Sequence, residues 1–263
     1  MYTTVITSFN RRHCIERAID SALRELPDHE IIIVDDASSD GTLHFIKERY
    51  ANEISQGALI LHCLHKNTGV SGAKNIGYEC SKSEWVIFLD SDDYYTNDAG
   101  KRIDEELKQS VDCPVVFFRC ITHTGEFVGL HKDKSLMLDL KTYLQHASYG
   151  EALTAVNKKL VKSTPPYIQS LRGYEGIGCA RLICKFGSAR LSKTVARVYV
   201  TTGEDRLSVN SGFFLRMPLL AKGHFLLIRE FACYLSIQKI FILLAKGVIY
   251  FVLGNFYRIL SKK

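Results

Sequence analysis

The chain of 263 residues has no paired cysteine motif, no repeat and no low-complexity segment. Its eight cysteines never occur as C-x-x-C, which argues against a zinc ribbon or a redox motif, and we expect them to be reduced, mostly buried and structural. Residues 1–9 lack the basic start and the apolar core of a secretory signal, so we expect the folded part to stay in the cytoplasm. A hydrophobic content of 46% excludes a disordered chain and allows one sizeable core.

Acidic residues are almost absent from the C-terminal tail. Residues 213–263 hold eight Lys and Arg against Glu230 alone, a net of +7, and because the whole chain is +6, the rest carries −1. The tail is also rich in Phe, Leu, Ile and Tyr, and basic apolar helices without acids tend to lie in the membrane interface. We therefore predict a basic, amphipathic, membrane-associating helical tail. A spanning helix over 240–257, which Lys246 interrupts, and a core helix are the alternatives.

Residues 3–130 alternate between short β-branched runs and stretches with helical periodicity. This alternation predicts an α/β fold with a mostly parallel sheet and flanking helices. From residue 113 onward the pattern becomes mixed, and we expect helices over 136–146 and 153–161. Parallel sheets bind ligands at the carboxyl ends of their strands, where this chain has four polar turns. The turns are residues 8–10, 35–41, 67–69 and 90–93.

Three carboxylates crowd the end of one predicted strand. The apolar run 85–89 leads directly into Asp90, Asp92 and Asp93. Such crowding costs Coulomb energy unless a divalent cation or ordered donors neutralise it. The acidic turn at 35–41 would by itself be an ordinary capped turn. Together the two acidic strand ends share one edge of the sheet and predict a metal and phosphate site.

Four segments of this chain together resemble the inverting family 2 glycosyltransferases of GT-A (Rossmann-like) fold that act in bacterial glycan and lipopolysaccharide biosynthesis. In order along the chain they are TVITSFNR at 4–11, VDDASSDGT at 34–42, NTGVSGAKNIG at 67–77 and FLDSDD at 88–93. The resemblance implies a glycosyltransferase domain over 1–212, followed by the tail. Within that domain, residues 1–112 would bind the nucleotide and residues 113–212 the acceptor.

The resemblance also implies roles in binding the donor nucleotide. Thr7 and Phe9 would line the nucleobase pocket, and Asp36 would accept a hydrogen bond from the base, which we expect to be the uracil of UDP. Asn67 and Lys74 would lie beside the base and the diphosphate. The family usually has Arg at the position of Lys74, and a Lys weakens a bidentate phosphate contact there.

The D-x-D pair of the resemblance implies a divalent cation. Asp90 would reach the ribose or an outer-shell water, and Asp92 would bind Mg²⁺ or Mn²⁺ bridging the two phosphates. The segment 202–208 resembles the late loop that closes over the diphosphate. Many relatives carry a metal-binding His there, whereas this chain has none, so Arg206 is expected to contact phosphate instead.

A catalytic base is expected at Glu175. The family places two acids at the start of a helix, with an Arg six residues after the second acid. Here Tyr174 stands in place of the first acid, Glu175 in place of the second, and Arg181 keeps the spacing. Glu175 would deprotonate the acceptor hydroxyl. A first-turn acid that only complements the helix dipole is the alternative.

These features predict a hexosyltransferase that moves a sugar from a nucleotide-sugar donor to a saccharide or lipid-linked acceptor in cell-surface polysaccharide biosynthesis. We expect it to act peripherally at the cytoplasmic face of the inner membrane, without a nucleic-acid partner. The altered acidic pair leaves one alternative, a catalytically impaired, membrane-associated protein that binds nucleotide sugars. A haloacid-dehalogenase-like phosphatase is disfavoured, because Tyr94 stands where the D-x-D-x-T motif of that family needs Thr.

Overall fold

The computed structural model describes residues 2–26, 29–130, 133–145, 150–200 and 213–260, in which ten strands and nine α-helices occur. The strands are β1 (Tyr2–Ser8), β2 (Glu30–Asp35), β3 (Leu59–Cys63), β4 (Trp85–Asp90), β5 (Tyr94–Tyr95), β6 (Val115–Thr122), β7 (Phe127–Val128), β8 (Leu136–Leu138), β9 (Leu153–Asn157) and β10 (Ala189–Tyr199). The helices are α1 (Ile15–Glu25), α2 (Thr42–Arg49), α3 (Ala51–Ser55), α4 (Val70–Cys80), α5 (Ala99–Lys108), α6 (Leu140–Gln145), α7 (Glu175–Phe186), α8 (Phe213–Phe231) and α9 (Ile237–Leu260).

One sheet organises the molecule, in the strand order β3-β2-β1-β4-β9-β6-β10-β5. The first four strands in this order are parallel, whereas β9 runs antiparallel to both β4 and β6. The α/β prediction is therefore confirmed, with a parallel half followed by a mixed half. Because β1, β2, β3 and β4 are parallel, their carboxyl ends and the polar turns that follow them share one edge.

Two local predictions are wrong in the mixed half of the sheet. Residues 153–161 do not form a helix, because β9 occupies their first half as a central strand that is buried between its neighbours. A short apolar run has no periodicity that separates a buried strand from a helix. In 136–146 the chain first forms β8, and α6 begins only after Asp139, whose Oδ1 accepts a hydrogen bond from the Thr142 N–H at 2.7 Å.

Apolar side chains cover both faces of the sheet. Helices α1 and α5 pack on one face, with Ile19 and Ile103 in the same buried cluster. Helices α4 and α7 pack on the other face, and Phe231 and Leu243 of the tail belong to this second cluster. The tail is thus in contact with the core, and the domain boundary at residue 212 stays a prediction.

The tail residues 213–260 form a helical hairpin of α8 and α9, joined by a short 3₁₀ turn. Small residues allow the two helices to approach closely: a methyl group at Gly254 would lie 2.4 Å from Cδ of Pro218, and one at Gly247 would lie 2.8 Å from the Phe225 ring. Among the described residues, the segment Ile237–Arg258 of α9 is the one helix long and apolar enough to cross a membrane, and most of it lies outside the core.

Glycines set the close packing at the start of α7, and this gives a stability test. A Cβ at Gly178 would lie 1.8 Å from the backbone carbonyl oxygen of Pro166, whereas the nearest atom to a Cβ at Gly176 is the Tyr143 hydroxyl at 3.3 Å. We expect Gly178→Ala to lower the free energy of unfolding in urea by about 1–3 kcal/mol through overpacking. Gly176→Ala is the matched control and should be neutral or stabilising, because Ala favours helix. Equal stability of the two variants would contradict this packing.

Candidate active site

Several of the predicted nucleotide-binding residues lie at the carboxyl edge of β1 and β4. In the parallel register Thr7 of β1 lies beside Asp90 of β4. Thr7 is buried, whereas Phe9, two residues later, is 44% exposed. An exposed aromatic ring next to a buried threonine at a strand end fits a stacking surface for a planar base. The structure therefore places both residues at the predicted edge, and their contact with a nucleobase stays a prediction.

Asp36 organises the turn before α4. Its Oδ1 accepts hydrogen bonds from the Thr68 N–H at 2.7 Å and the Thr68 hydroxyl at 2.9 Å, and its Oδ2 accepts one from the Gly69 N–H at 2.9 Å. Asn67 adds a hydrogen bond from the same Gly69 N–H to its Oδ1, at 3.0 Å. A carboxylate has about four acceptor positions, so one on Asp36 is left for a base. Because Asp36 is buried, its predicted contact with a base stays a prediction.

The crowded carboxylates are neutralised by the protein itself. Lys74 Nζ lies 2.7 Å from Oδ1 of Asp90, and Arg197 Nη1 lies 3.3 Å from Oδ2 of Asp90 and 3.1 Å from Oδ2 of Asp93. Burial raises the pKa of Asp90, but the charges of Lys74 and Arg197 outweigh it, so this pKa lies below its ordinary value. Lys74 and Arg197 thus offset the repulsion between the carboxylates at the end of β4.

Arg197 is a site residue that the sequence reasoning missed. It lies on β10 with its side chain 2% exposed, and its Nε also donates to Sγ of Cys120 at 3.1 Å. Its Nη2 lies 3.5 Å from Glu151, at the entrance to β9. The available signal was an arginine inside the apolar run 195–200, because a charged residue in a buried strand needs a partner of opposite charge.

Asp92 differs from its two acidic neighbours. Its side chain is half-buried, and within the described residues its carboxylate has no hydrogen bond or ion pair; Arg17 Nη2 binds its backbone carbonyl at 2.8 Å. No group of three or more His, Cys, Asp or Glu side chains suited to a metal occurs in the described part of the chain. Asp92 alone therefore fits a hard cation that takes one ligand from the protein and the others from diphosphate and water. Mg²⁺ is commonly bound in this way.

Glu175 is the first residue of α7 and faces the start of α4. Its Oε1 accepts hydrogen bonds from the Ser71 hydroxyl at 3.3 Å and from the Gly173 N–H at 3.4 Å. Burial lowers the pKa of Lys74, but Asp90 and Glu175 act oppositely and raise it above its ordinary value. Ser71 and Lys74 lie three residues apart on α4, on one helix face. This face therefore brings Glu175 and Asp90 to the same small region.

The other two positions of the resemblance at α7 face the tail hairpin. The Tyr174 hydroxyl donates to the carbonyl of Leu220 at 2.9 Å. Arg181 donates two hydrogen bonds to Glu230, at 2.8 and 2.6 Å. The position that carries an acid in the family is therefore occupied here by a tyrosine that contacts α8. Arg206 lies outside the described residues, so its predicted phosphate contact stays a prediction.

The fold and the acidic strand end define the class of the protein as an α/β protein of GT-A type. The family model described as glycosyl transferase family 2 matches residues 3–161, and the chain belongs to this family. In fold it is similar to the mannosyltransferase PcManGT from Pyrobaculum calidifontis in complex with GDP-Man and Mn²⁺, with a TM-score of 0.65 and 17% identity over 97% of this chain and 72% of that chain. It is also similar to residues 1–349 of TarS from S. aureus in complex with UDP-GlcNAc, with a TM-score of 0.63 and 16% identity over 85% and 66% of the two chains.

A relative with an assigned acceptor comes from Campylobacter jejuni. The chain is 27% identical over 169 residues to its GalNAc(5)-diNAcBac-PP-undecaprenol beta-1,3-glucosyltransferase. This match covers 61% of the present chain and 53% of the relative, so the chain spans about half the length of this curated relative.

The buried position of Arg197 predicts a large stability effect. We expect Arg197→Met to lower the free energy of unfolding by about 3–5 kcal/mol, because it leaves the buried Asp93 without a cation and Asp90 with Lys74 alone. The loss should be larger at pH 8 than at pH 6: burial raises the pKa of Asp93 to about 7, so Asp93 takes up a proton at the lower pH. Lys193→Met, on the exposed face of the same strand, is the control. Urea unfolding measures both, and a loss no larger than the control's would disprove the neutralising role.

Proposed function

We propose that this protein is an inverting glycosyltransferase that moves a sugar from a UDP-sugar to a lipid-linked saccharide in cell-surface polysaccharide biosynthesis. One observation carries the proposal: a single face of α4 contacts Asp90 through Lys74 and Glu175 through Ser71. A donor-side carboxylate and an acid suited to act as a base thus lie at one edge of the sheet. The family, the UDP-GlcNAc bound by TarS and the PP-undecaprenol in the name of the relative support the donor and acceptor classes.

On the donor side, the proposed role of the chain is to hold the diphosphate and keep its charge compensated. Asp92 would hold Mg²⁺ or Mn²⁺, which when bound neutralises the diphosphate as it leaves. Lys74 remains positively charged beside Asp90 and would add a point charge to the same phosphates. Thr7, Phe9 and Asp36 would position the base.

On the acceptor side, the proposed role of Glu175 is that of a general base. It would take the proton of the acceptor hydroxyl while that oxygen forms a bond to the anomeric carbon of the donor sugar. The bond from this carbon to the diphosphate oxygen breaks on the opposite face, and the nucleoside diphosphate leaves. The configuration at the carbon is therefore inverted. Glu175 lies in the first turn of α7, beside the Ser71 hydroxyl of α4.

The structure weakens the argument for a protein that only binds nucleotide sugars. That alternative rested on Tyr174, which replaces an acid of the family. The hydroxyl of Tyr174 is 2.9 Å from the Leu220 carbonyl and 3.1 Å from Nδ1 of His224, so its position is explained by contact with α8. Glu175 keeps its place at the start of α7. The contact with α8 thus explains the tyrosine at this position, and the proposed base remains at the start of α7.

Amide substitutions at the two proposed site carboxylates test the mechanism. We expect Asp92→Asn and Glu175→Gln each to lower transfer from UDP-sugars by about 100-fold or more, because they remove a cation ligand and a base. Glu84→Gln is the matched control, since Glu84 is exposed and precedes the opposite end of β4. Transfer would be followed by release of UDP over a panel of UDP-sugars with Mn²⁺, and unchanged circular dichroism shows that the variants fold. Wild-type rates in both variants would disprove the mechanism.

The tail hairpin fits a membrane surface. Sixteen of the twenty exposed large apolar side chains in the described residues lie between Phe213 and Tyr257. Lys222 and Lys246 are exposed among them, and Glu230 is paired with Arg181 and Arg229. An exposed apolar surface with unopposed positive charge favours the interface of an anionic bilayer. In this proposal residues 213–263 are a membrane-associating tail that follows a catalytic domain of residues 1–212.

The packing of the hairpin favours a peripheral position over a spanning one. Helix α9 lies along α8 from Gly247, against Phe225, to Gly254, against Pro218. Helix α8 is in turn bonded to α7 through Glu230 and Leu220. A spanning α9 would have to separate from α8 or draw the catalytic edge into the bilayer. We therefore propose that the hairpin lies in the cytoplasmic leaflet of the inner membrane.

Surface substitutions test membrane binding better than a truncation, because removal of the tail would also remove Phe231 and Leu243 from the core. We expect Phe241→Asp/Phe251→Asp, at side chains 68% and 56% exposed, to abolish flotation with vesicles that contain anionic phospholipid. The control is Val111→Asp, at an apolar side chain 59% exposed outside the hairpin. It should float like the wild type. Full flotation of the double variant would disprove the proposed membrane surface.

A further inference from the structure

Strand β9 brings a further acid, Glu151, to the carboxyl end of β4. The two strands are antiparallel, with Thr154 of β9 opposite Phe88 of β4. Glu151 precedes Thr154 by three residues and Ser91 follows Phe88 by three residues, so this register leads Glu151 toward the D-x-D turn. Glu151 lies outside the four segments of the family resemblance.

A direct contact supports this placement. Nη1 of Arg197 lies 3.3 Å from Asp90 and 3.1 Å from Asp93, and Nη2 of the same guanidinium lies 3.5 Å from Oε2 of Glu151. The side chain of Arg197 is 2% exposed, whereas that of Glu151 is 56% exposed. The Glu151 carboxylate is thus held by a buried cation and is open to solvent beside Asp90.

Both partners of this ion pair have unused hydrogen-bonding capacity. Nη2 of Arg197 is buried and makes no hydrogen bond within the described residues. In that part of the chain Arg197 is also the one ionic partner of Glu151, and a carboxylate has about four acceptor positions. A buried donor without a hydrogen bond is rare in a folded protein, and here it points to a site that a ligand completes.

Charge decides which ligand fits this site. Asp90 and Glu151 would repel a phosphate placed against them, and the guanidinium beside them would repel a metal ion. A neutral hydroxyl group suits both partners, because it donates its hydrogen to a carboxylate and accepts one from a guanidinium. In a nucleotide sugar the hydroxyl groups next to the diphosphate belong to the transferred sugar. Asp92, proposed to hold the cation on that diphosphate, lies in the same turn as Asp90.

We infer that Glu151 is a specificity-determining residue that accepts a hydrogen bond from a hydroxyl of the transferred sugar, and that Arg197 positions its carboxylate for this contact. The inference rests on the proposed function and deepens it, because it names a side chain that recognises the sugar part of the donor. Arg197 then serves donor binding twice: it compensates the acids at the end of β4, and it holds the sugar contact that β9 supplies.

Calorimetric titration of the full-length protein with Mn²⁺ and without acceptor tests the inference apart from transfer. The probes are UDP, UDP-glucose, UDP-galactose and the N-acetylated forms of these two sugars, and the UDP-sugar that binds the wild type most tightly is compared with UDP. We expect Glu151→Ala to weaken binding of this UDP-sugar by about tenfold relative to UDP, because it removes a charge-assisted hydrogen bond to the sugar alone. The ratio of the two dissociation constants cancels the general effect of a negative charge lost near the diphosphate.

The matched control is Glu84→Ala. Glu84 also has a side chain that is 56% exposed and forms an ion pair, with Lys159, but it precedes the opposite end of β4. This variant should keep the wild-type ratio. A wild-type ratio in Glu151→Ala would overturn the inference. An equal loss of UDP and UDP-sugar would also overturn it, because the contact would then be with the nucleotide.

Monodeoxy analogues of the same UDP-sugar identify the hydroxyl that Glu151 binds. The analogue without this hydroxyl should bind the wild type about tenfold more weakly than the parent UDP-sugar, yet bind Glu151→Ala as well as the parent does, because the two changes remove the same contact. Equal losses in both proteins for every analogue would overturn the inference. A wild type that binds neither UDP nor any UDP-sugar would instead contradict the proposed function itself.

Discussion

The ion pairs of Arg197 with Asp90 and Asp93 are the interaction on which the site depends. A strand that ends in three carboxylates is tolerated because a buried guanidinium on β10 and the ammonium group of Lys74 compensate two of them. The charge of Asp92 is left without a partner among the described residues and fits a cation that arrives with a diphosphate. The mixed half of the sheet therefore contributes to the site as well as to the core. Its strand β10 supplies Arg197, whose positive charge stabilises the acids at the end of β4.

Helix α4 and the tail hairpin connect the edge that holds Asp90 to the start of α7. One face of α4 contacts Asp90 through Lys74 and Glu175 through Ser71, so a shift of this helix would move both sides of the site together. Helix α8 holds the other side of α7 through Tyr174. The proposed base thus lies between α4 of the parallel half and a hairpin with an exposed apolar surface.

Sequence patterns predicted the parts of the fold that local interactions dominate. The parallel half, the helix over Glu175–Phe186 and the helical tail follow from alternation, periodicity and composition. The failure at 153–161 has a physical reason: β9 is a strand because β4 and β6 provide hydrogen-bond partners on both sides, and such partners are not visible in a short apolar run. The expectation that most cysteines are buried was also too simple, because Cys63, Cys184 and Cys233 are exposed.

By itself, the sequence determined the chemistry of this protein: acidic strand ends, an apolar basic tail and four segments that resemble one family. Residue types and their spacing carry that information directly. Only the tertiary structure decided the partners: Arg197 beside the acids, Tyr174 against α8, and Glu175 beside Ser71 of α4. Each of these joins positions far apart along the chain. Electrostatic and packing energies depend on distance in space, and that distance is set only when all elements pack together.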